Sequence, residues 1–219
     1  MIRIAITGAE CSGKSTLSEM LANRLGVGYV PEMSRIYLDD LGRAYEQEDL
    51  DHIATKQQMM IDARGASMED YLITDTEMLV MKIWSEEKYG TISEHIKFLF
   101  FNQFFDIYLL CKPDIPYVAD HQRENPEDRD RLYEIYKSNL QEMGAHFIEI
   151  RGSYQERLEQ AIEAISMHKK YEEKLSLLRT TLGNKKQIPL DFLDLVYMFE
   201  RIAQSWADVA DLVQPIYNE

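Results

Sequence analysis

Two rhythms of apolar residues run along the chain. Short, continuous apolar runs occur at Ile2 to Thr7, Val27 to Val30, Tyr71 to Thr74, Ile107 to Cys111 and His146 to Ile150. Glycine, proline or an acidic residue closes most of them, and several are rich in β-branched side chains. Such runs predict buried strands. Between them, apolar residues recur at helical spacing over Lys14 to Leu25, Ser34 to Leu41, Glu46 to Ala66, Glu77 to Tyr89, Ser93 to Phe104, Arg131 to Met143 and Ser153 to His168. Gly26, Gly90 and Gly144 stand where helices should stop. Ser153 with Glu156 three residues on makes a capping box. The phenylalanines between Ser93 and Phe104 predict a helix that is mostly core.

The alternation of strand and helix predicts an α/β fold of three layers. A mainly parallel five-stranded sheet is expected, with helices on both faces. From Lys169 onward no strand pattern occurs, and Pro189 suits the first turn of a helix running towards Asp211. The expected organisation is a domain over 1–168 and a helical extension over 169–219. A chain of 219 residues can build one core without metal or disulfide staples.

Charge narrows the partners. The formal net charge is −14, which disfavours nucleic acid and anionic membrane surfaces. An anionic ligand would need positive charge concentrated at its own site. Cys11 and Cys111 are far apart and lack metal-ligand spacing, as expected of reduced thiols in a cytosolic protein. Met1 runs straight into the first strand, and no apolar run reaches the length of a membrane span. A cytoplasmic location is expected.

One motif carries specific chemistry. Gly8-Ala9-Glu10-Cys11-Ser12-Gly13-Lys14-Ser15 fits G-x-x-x-x-G-K-[ST], with Thr16 following, between a predicted strand and a predicted helix. The glycines let the backbone turn its N–H groups onto phosphate oxygens. The helix start aims its positive end at the same point. Lys14 is placed to reach the β- and γ-phosphates, and the Ser15 hydroxyl to ligate magnesium. Chance would produce the pattern in about one chain of this size in a hundred, and the strand-loop-helix context argues against chance. The loop from Gly8 to Thr16 is therefore expected to bind ATP or GTP with Mg2+, in a P-loop NTPase fold. Glu10 and Cys11 occupy its free positions.

Ligands of open α/β sheets bind beyond the carboxyl ends of the strands. Asp75 follows the apolar Tyr71-Leu72-Ile73-Thr74 and suits either magnesium or the N-cap of the next helix. Glu77 lies close enough to share the cleft. Glu32 follows the second strand and suits either a substrate hydroxyl, as binder or base, or an ion pair with Arg35. Asp114 fits turn chemistry. The polar stretch after the fourth strand, from Lys112 to Asp130 and on into Arg131, holds His121, Arg123, Arg129 and Arg131. It suits either a basic lid over the phosphates or a solvated loop whose acids neutralise its arginines. Trp84 is either core or a platform for a flat ring.

With those residues in place, the chain resembles the ribosylnicotinamide kinase domain of bacterial NadR-type proteins, within a wider family of AAA-like P-loop kinases. The resemblance spans about Met1 to His168. It rests on Ile6 to Leu17, Val30-Pro31-Glu32 with Arg35, Thr74-Asp75-Thr76 with Lys82-Ile83-Trp84-Ser85-Glu86, and Asp106 to Leu110. It continues through Asp114-Ile115-Pro116, Val118-Ala119-Asp120, Arg123-Glu124-Asn125-Pro126, and Ile150 to Tyr154 with Glu156-Arg157-Leu158. It implies transfer of the ATP γ-phosphate to the 5′-hydroxyl of nicotinamide riboside. Lys14, Asp75, Arg123 and Glu32 become the catalytic candidates. Glu32, Arg35, Trp84 and Asp120 become the acceptor-binding ones, and Ser15 with Asp75 the magnesium ligands. Departures from the family pattern are Glu77 where a second Asp is common, His121 where Gly is common, and no tryptophan near Tyr117. The adenylyltransferase domain of the bifunctional members is not expected here.

Two functions from different classes fit these residues. One is a small-molecule kinase acting on ATP and a nucleoside, with self-association through the C-terminal helices. The other is a nucleotide-binding regulatory ATPase with no small-molecule acceptor. Acceptor-dependent consumption of ATP separates them.

Overall fold

The computed structural model describes residues 1–67, 69–118 and 128–183. Strands β1 (Ile2–Thr7), β2 (Tyr71–Asp75), β3 (Ile107–Cys111) and β4 (Phe147–Ile150) form one sheet in the order β2-β1-β3-β4. All three pairings are parallel. Each connection therefore crosses back through helices: α1 (Lys14–Leu25), α2 (Met33–Leu41) and α3 (Gln47–Gly65) between β1 and β2, then α4 (Met78–Tyr89) and α5 (Glu94–Asn102) before β3. Helix α6 (Arg129–Glu142) leads to β4, and α7 (Tyr154–Gly183) follows it.

The two-residue side-chain period of a strand divides the core. Ile4 and Ile6 of β1 face one way with Ile73, Ile107, Leu109 and Cys111, against Leu17 and Leu21 of α1 and Ala161 and Ile165 of α7. Ala5, Leu72, Tyr108 and Leu110 face the other way, against side chains of α3, α4, α5 and α6. Both faces are covered, and so the strands read as continuous apolar runs. Each fully buried Ile or Leu stabilises the fold by about 1.5–3 kcal/mol.

Three expectations need correction. The sheet has four strands, because the run from Val27 to Val30 makes only a single bridge, Val30 to Thr74. Val30 exchanges bonds with β2 through its N–H to Ile73 O and its O from the Asp75 N–H, both 2.8 Å. Pro31, which has no N–H, follows immediately and ends the pairing. Helix α5 is not mostly core: Ile96 and Phe100 are buried, but Phe98 is 64 % exposed and Phe101 78 %. Nine residues offer one packing face, and phenylalanines at successive positions cannot all share it. The last described helix does not stop at His168 but runs to Gly183. The expected division at His168 thus falls inside α7. Residues 184–219, including Pro189, lie outside the described residues.

A buried carboxylate ties α2 to α3. Asp49 accepts bidentate bonds from Arg43 (2.7 and 2.9 Å), one from the Tyr37 hydroxyl (2.9 Å) and one from the Glu46 N–H (2.8 Å). The Arg43 bonds hold its carboxyl well below the ordinary aspartate value. A lowered folded-state value means the stabilisation is complete above the unfolded value near 3.8 and is lost as pH falls through the folded one. Asp49→Asn should therefore lower Tm by a few degrees at neutral pH. That gap should narrow below about pH 4, measured by thermal melts across pH. A gap independent of pH would remove the charge from the account.

Candidate functional site

The C-terminal edge of the sheet brings four strand ends together, and a cleft of ≈ 260 Å³ opens above them. Its floor is the loop from Gly8 to Gly13. Gly8 has φ +129°, and a Cβ there would stand 2.8 Å from the Cys111 carbonyl, so only glycine lets the loop leave β1 this close to β3. Gly13 (φ 84°) leads into α1, which has no side-chain cap and no acid in its first turn. The first N–H groups of α1 are thus left for a ligand. Cys11 also adopts a left-handed conformation, φ 51°.

The loop's carbonyls are taken up by its surroundings. Lys14 is buried, and its Nζ donates to Gly8 O and Ala9 O, both at 2.9 Å. The Ser12 hydroxyl donates to Ala9 O at 2.7 Å. Arg129 donates to Cys11 O at 3.1 Å, and Arg157 to Ser12 O at 2.7 Å. Gly8 through Thr16 all line the cleft.

Asp75 sits at the end of β2 and is buried. The Ser15 hydroxyl hydrogen-bonds its carboxylate, while burial and the nearby Glu32 raise its pKa to about 6 against the pull of Lys14. Its Oδ1 is buried without a hydrogen-bond partner. A hydroxyl, a carboxylate and an unmet oxygen suit a hard divalent cation that keeps water and phosphate as its other ligands. Among the described residues no cluster of three or more His, Cys, Asp or Glu could hold a metal by itself. Ser15 and Asp75 therefore fit a magnesium ion shared with phosphates, not a protein cage. The next residue, Thr76, has φ 79°, strained for a β-branched side chain. Its N–H bonds to Ile6 O, and its carbonyl accepts from Thr74 and Gln57.

The N-cap of α4 is Glu77, not Asp75. Glu77 is fully buried; it accepts from Leu79 N–H at 2.6 Å, the Thr7 hydroxyl and Gln103. Burial raises its pKa. It faces β1 and α5 and does not line the cleft.

The cleft's second end is apolar. Leu38, Val80, Ile83, Trp84, Leu132 and Tyr136 line it, with Glu32, Ser34, Arg35 and Glu87 at the rim. Glu32 makes the expected pair with Arg35 at 3.5 Å, accepts from Ser34 at 2.6 Å and lines the cleft. Trp84 likewise combines core packing with the cleft wall. Its indole N–H donates to the Tyr45 hydroxyl at 2.8 Å, and the two rings meet edge to face. Asp120, His121 and Arg123 lie outside the described residues. Arg131, from the same stretch, pairs with Glu87 and Asp128.

Sequence reading missed two residues. Asp114 is more than a turn residue: it accepts from Gly152 N–H at 2.8 Å and pairs with Arg157. Arg157 itself is fully buried. One signal was available: it lies in register with Ala161, Ala164, Ile165 and His168 on the buried stripe of α7, where a charge demands partners.

Comparison with known proteins bears on the same segment. A family model described as an AAA domain matches residues 3–157. The trifunctional NAD biosynthesis/regulator protein NadR of Salmonella typhimurium is 27% identical over 169 residues, covering 74% of this chain and 41% of that protein. The Escherichia coli protein of the same name matches to the same extent. The chain thus spans about two fifths of the length of the curated relatives it matches. Among solved structures, a NadR protein in complex with NR superposes with a TM-score of 0.68 at 20% identity, over 76% of this chain and 51% of that one. Thymidylate kinase from Candida albicans does so with a TM-score of 0.58 at 12% identity, over 77% and 92%. At such identities the likeness is one of fold, a P-loop kinase fold with a parallel sheet between helical layers. Among the described residues no helix is long and apolar enough to cross a membrane. The matched model covers most of the chain and takes in both the phosphate loop and the carboxyl ends of all four strands: the chain belongs to this AAA-domain family of P-loop proteins.

Proposed function

We propose that the protein is an ATP-dependent kinase that transfers the γ-phosphate to the 5′-hydroxyl of a nucleoside, nicotinamide riboside being the acceptor, to give nicotinamide mononucleotide. The observation that carries this reading is the two-ended cleft. An amide-lined cradle and an apolar, aromatic chamber share one opening, with Asp75 and Glu32 also close to one another. A pure ATPase needs the first end and has no use for the second. The likeness to NadR proteins supports the same acceptor.

The residues divide the work as follows. The N–H groups from Glu10 to Thr16 hold the phosphates, and Lys14 moves from its carbonyl partners to the β- and γ-phosphate oxygens. Ser15 and Asp75 would hold magnesium, which supplies charge neutralisation on the polyphosphate when bound. Trp84, fixed by its bond to Tyr45, offers its face to the acceptor's ring, and Arg35 and Glu32 position the ribose. The acceptor oxygen attacks the γ-phosphorus, the bond to the β-phosphate oxygen breaks, and the hydroxyl proton passes to a carboxylate, for which Glu32 is the candidate. The apolar chamber keeps water from competing with the acceptor.

Incubation with magnesium ATP and a nucleoside panel should give a phosphorylated product of the mass of nicotinamide mononucleotide. Hydrolysis of ATP at the same rate without any nucleoside would instead favour the regulatory ATPase. Lys14→Ala should reduce turnover by about 10²-fold or more in a protein that still folds, at a Tm lowered by the loss of its bonds to Gly8 O and Ala9 O. Asp75→Asn should raise the magnesium concentration needed for half-maximal rate, and a variant with the wild-type magnesium dependence would remove Asp75 from the metal site.

A further inference from the structure

The guanidinium of the buried Arg157 reaches the ends of two strands and the phosphate loop together. Its Nη1 donates to Ser12 O (2.7 Å), its Nε to Gly152 O (2.8 Å) and its Nη2 to Lys112 O (2.8 Å). The Asp114 carboxylate pairs with the same Nη2 and accepts from Gly152 N–H. These acceptors come from the loop after β1, the residue after β3 and the turn after β4. A Cβ built on Gly13 would lie 3.5 Å from Arg157 Nη1, so the guanidinium lies against the back of that residue.

Peptide planarity converts this contact into a statement about the cradle. In a trans peptide the C=O and the following N–H point in opposite directions. A donor that draws Ser12 O to one side therefore turns the Gly13 N–H to the other. Arg129 does the same one peptide earlier, drawing on Cys11 O at 3.1 Å and so setting the Ser12 N–H.

We propose that Arg157, locked by Asp114, is a positioning residue for the phosphate cradle: by holding the Ser12 carbonyl at the back of the loop it presents the Gly13 amide to the bound phosphate. The inference rests on the nucleotide-binding reading and is independent of the acceptor. Arginine is required because one planar fork must serve acceptors spread around it; a lysine ammonium is a single point on a flexible stem. Arg157 needs no contact with phosphate itself.

The test uses inorganic tripolyphosphate, which reads the cradle alone, and adenosine, which has no phosphate. Wild-type protein should bind both; failure to bind tripolyphosphate would remove the cradle itself and with it the proposed kinase. Arg157→Met should weaken tripolyphosphate binding by about tenfold or more, equivalent to about 1.4 kcal/mol, and leave adenosine binding unchanged. Arg157→Lys should recover only part of the loss. If Arg157→Met does not fold, Asp114→Asn carries the comparison, because that side chain is 30% exposed; it should weaken tripolyphosphate binding severalfold and spare adenosine. Wild-type tripolyphosphate affinity in a folded Arg157 or Asp114 variant, measured well below a lowered Tm, would overturn the proposal and leave Arg157 a purely structural brace.

Discussion

A loop can offer its amides to an anion only if its carbonyls are bonded elsewhere, because every buried peptide carries both a donor and an acceptor. Four carbonyls of the phosphate loop, those of Gly8, Ala9, Cys11 and Ser12, meet that condition with side chains, not with a neighbouring strand. Lys14 and Ser12 satisfy Gly8 and Ala9 from within, while Arg129 and Arg157 satisfy Cys11 and Ser12 from without. The positions of β3 and α7 follow from this: Gly8 packs on the Cys111 carbonyl, and α7 delivers a buried arginine across the ends of β3 and β4.

Local charge runs against the global balance. The chain is strongly acidic, and Asp75, Glu32 and Glu10 all stand in or beside the cleft. Two of the cations around the loop, Lys14 and Arg157, are buried and lie within one loop of each other. Their charge is not spent on carboxylates alone, since backbone carbonyls are the main acceptors of both. Asp75 is left raised and with an unmet oxygen, a cost of burial that a divalent ion would offset.

Much of this was legible in the chain. The phosphate loop follows from fixed residue types at fixed spacing, and α1 and β3 begin and end where their apolar periods do. What escaped depends on contacts remote in sequence. The run ending at Val30 has strand composition, but Pro31 and the geometry of β2 limit it to one bridge. Asp75 and Glu77 are both plausible caps by type, and only the path of β2 through the strained Thr76 decides that Glu77 takes the helix while Asp75 bonds Ser15. The phenylalanines of α5 show composition without face. Apart from the nearby Gly152 O, the acceptors of Arg157 lie 43 to 145 residues away, which no local pattern encodes.

Glu77 has a mechanical consequence. Its carboxylate grips the hydroxyl of Thr7, the last residue before the phosphate loop, and also the Leu79 N–H in the first turn of the helix that carries Trp84. The two ends of the cleft are riveted at one buried point, 70 residues apart in the chain. That shared carboxylate resists relative movement of the two ends, whereas α2, which carries Arg35 and Leu38 to the cleft, lies outside this tie.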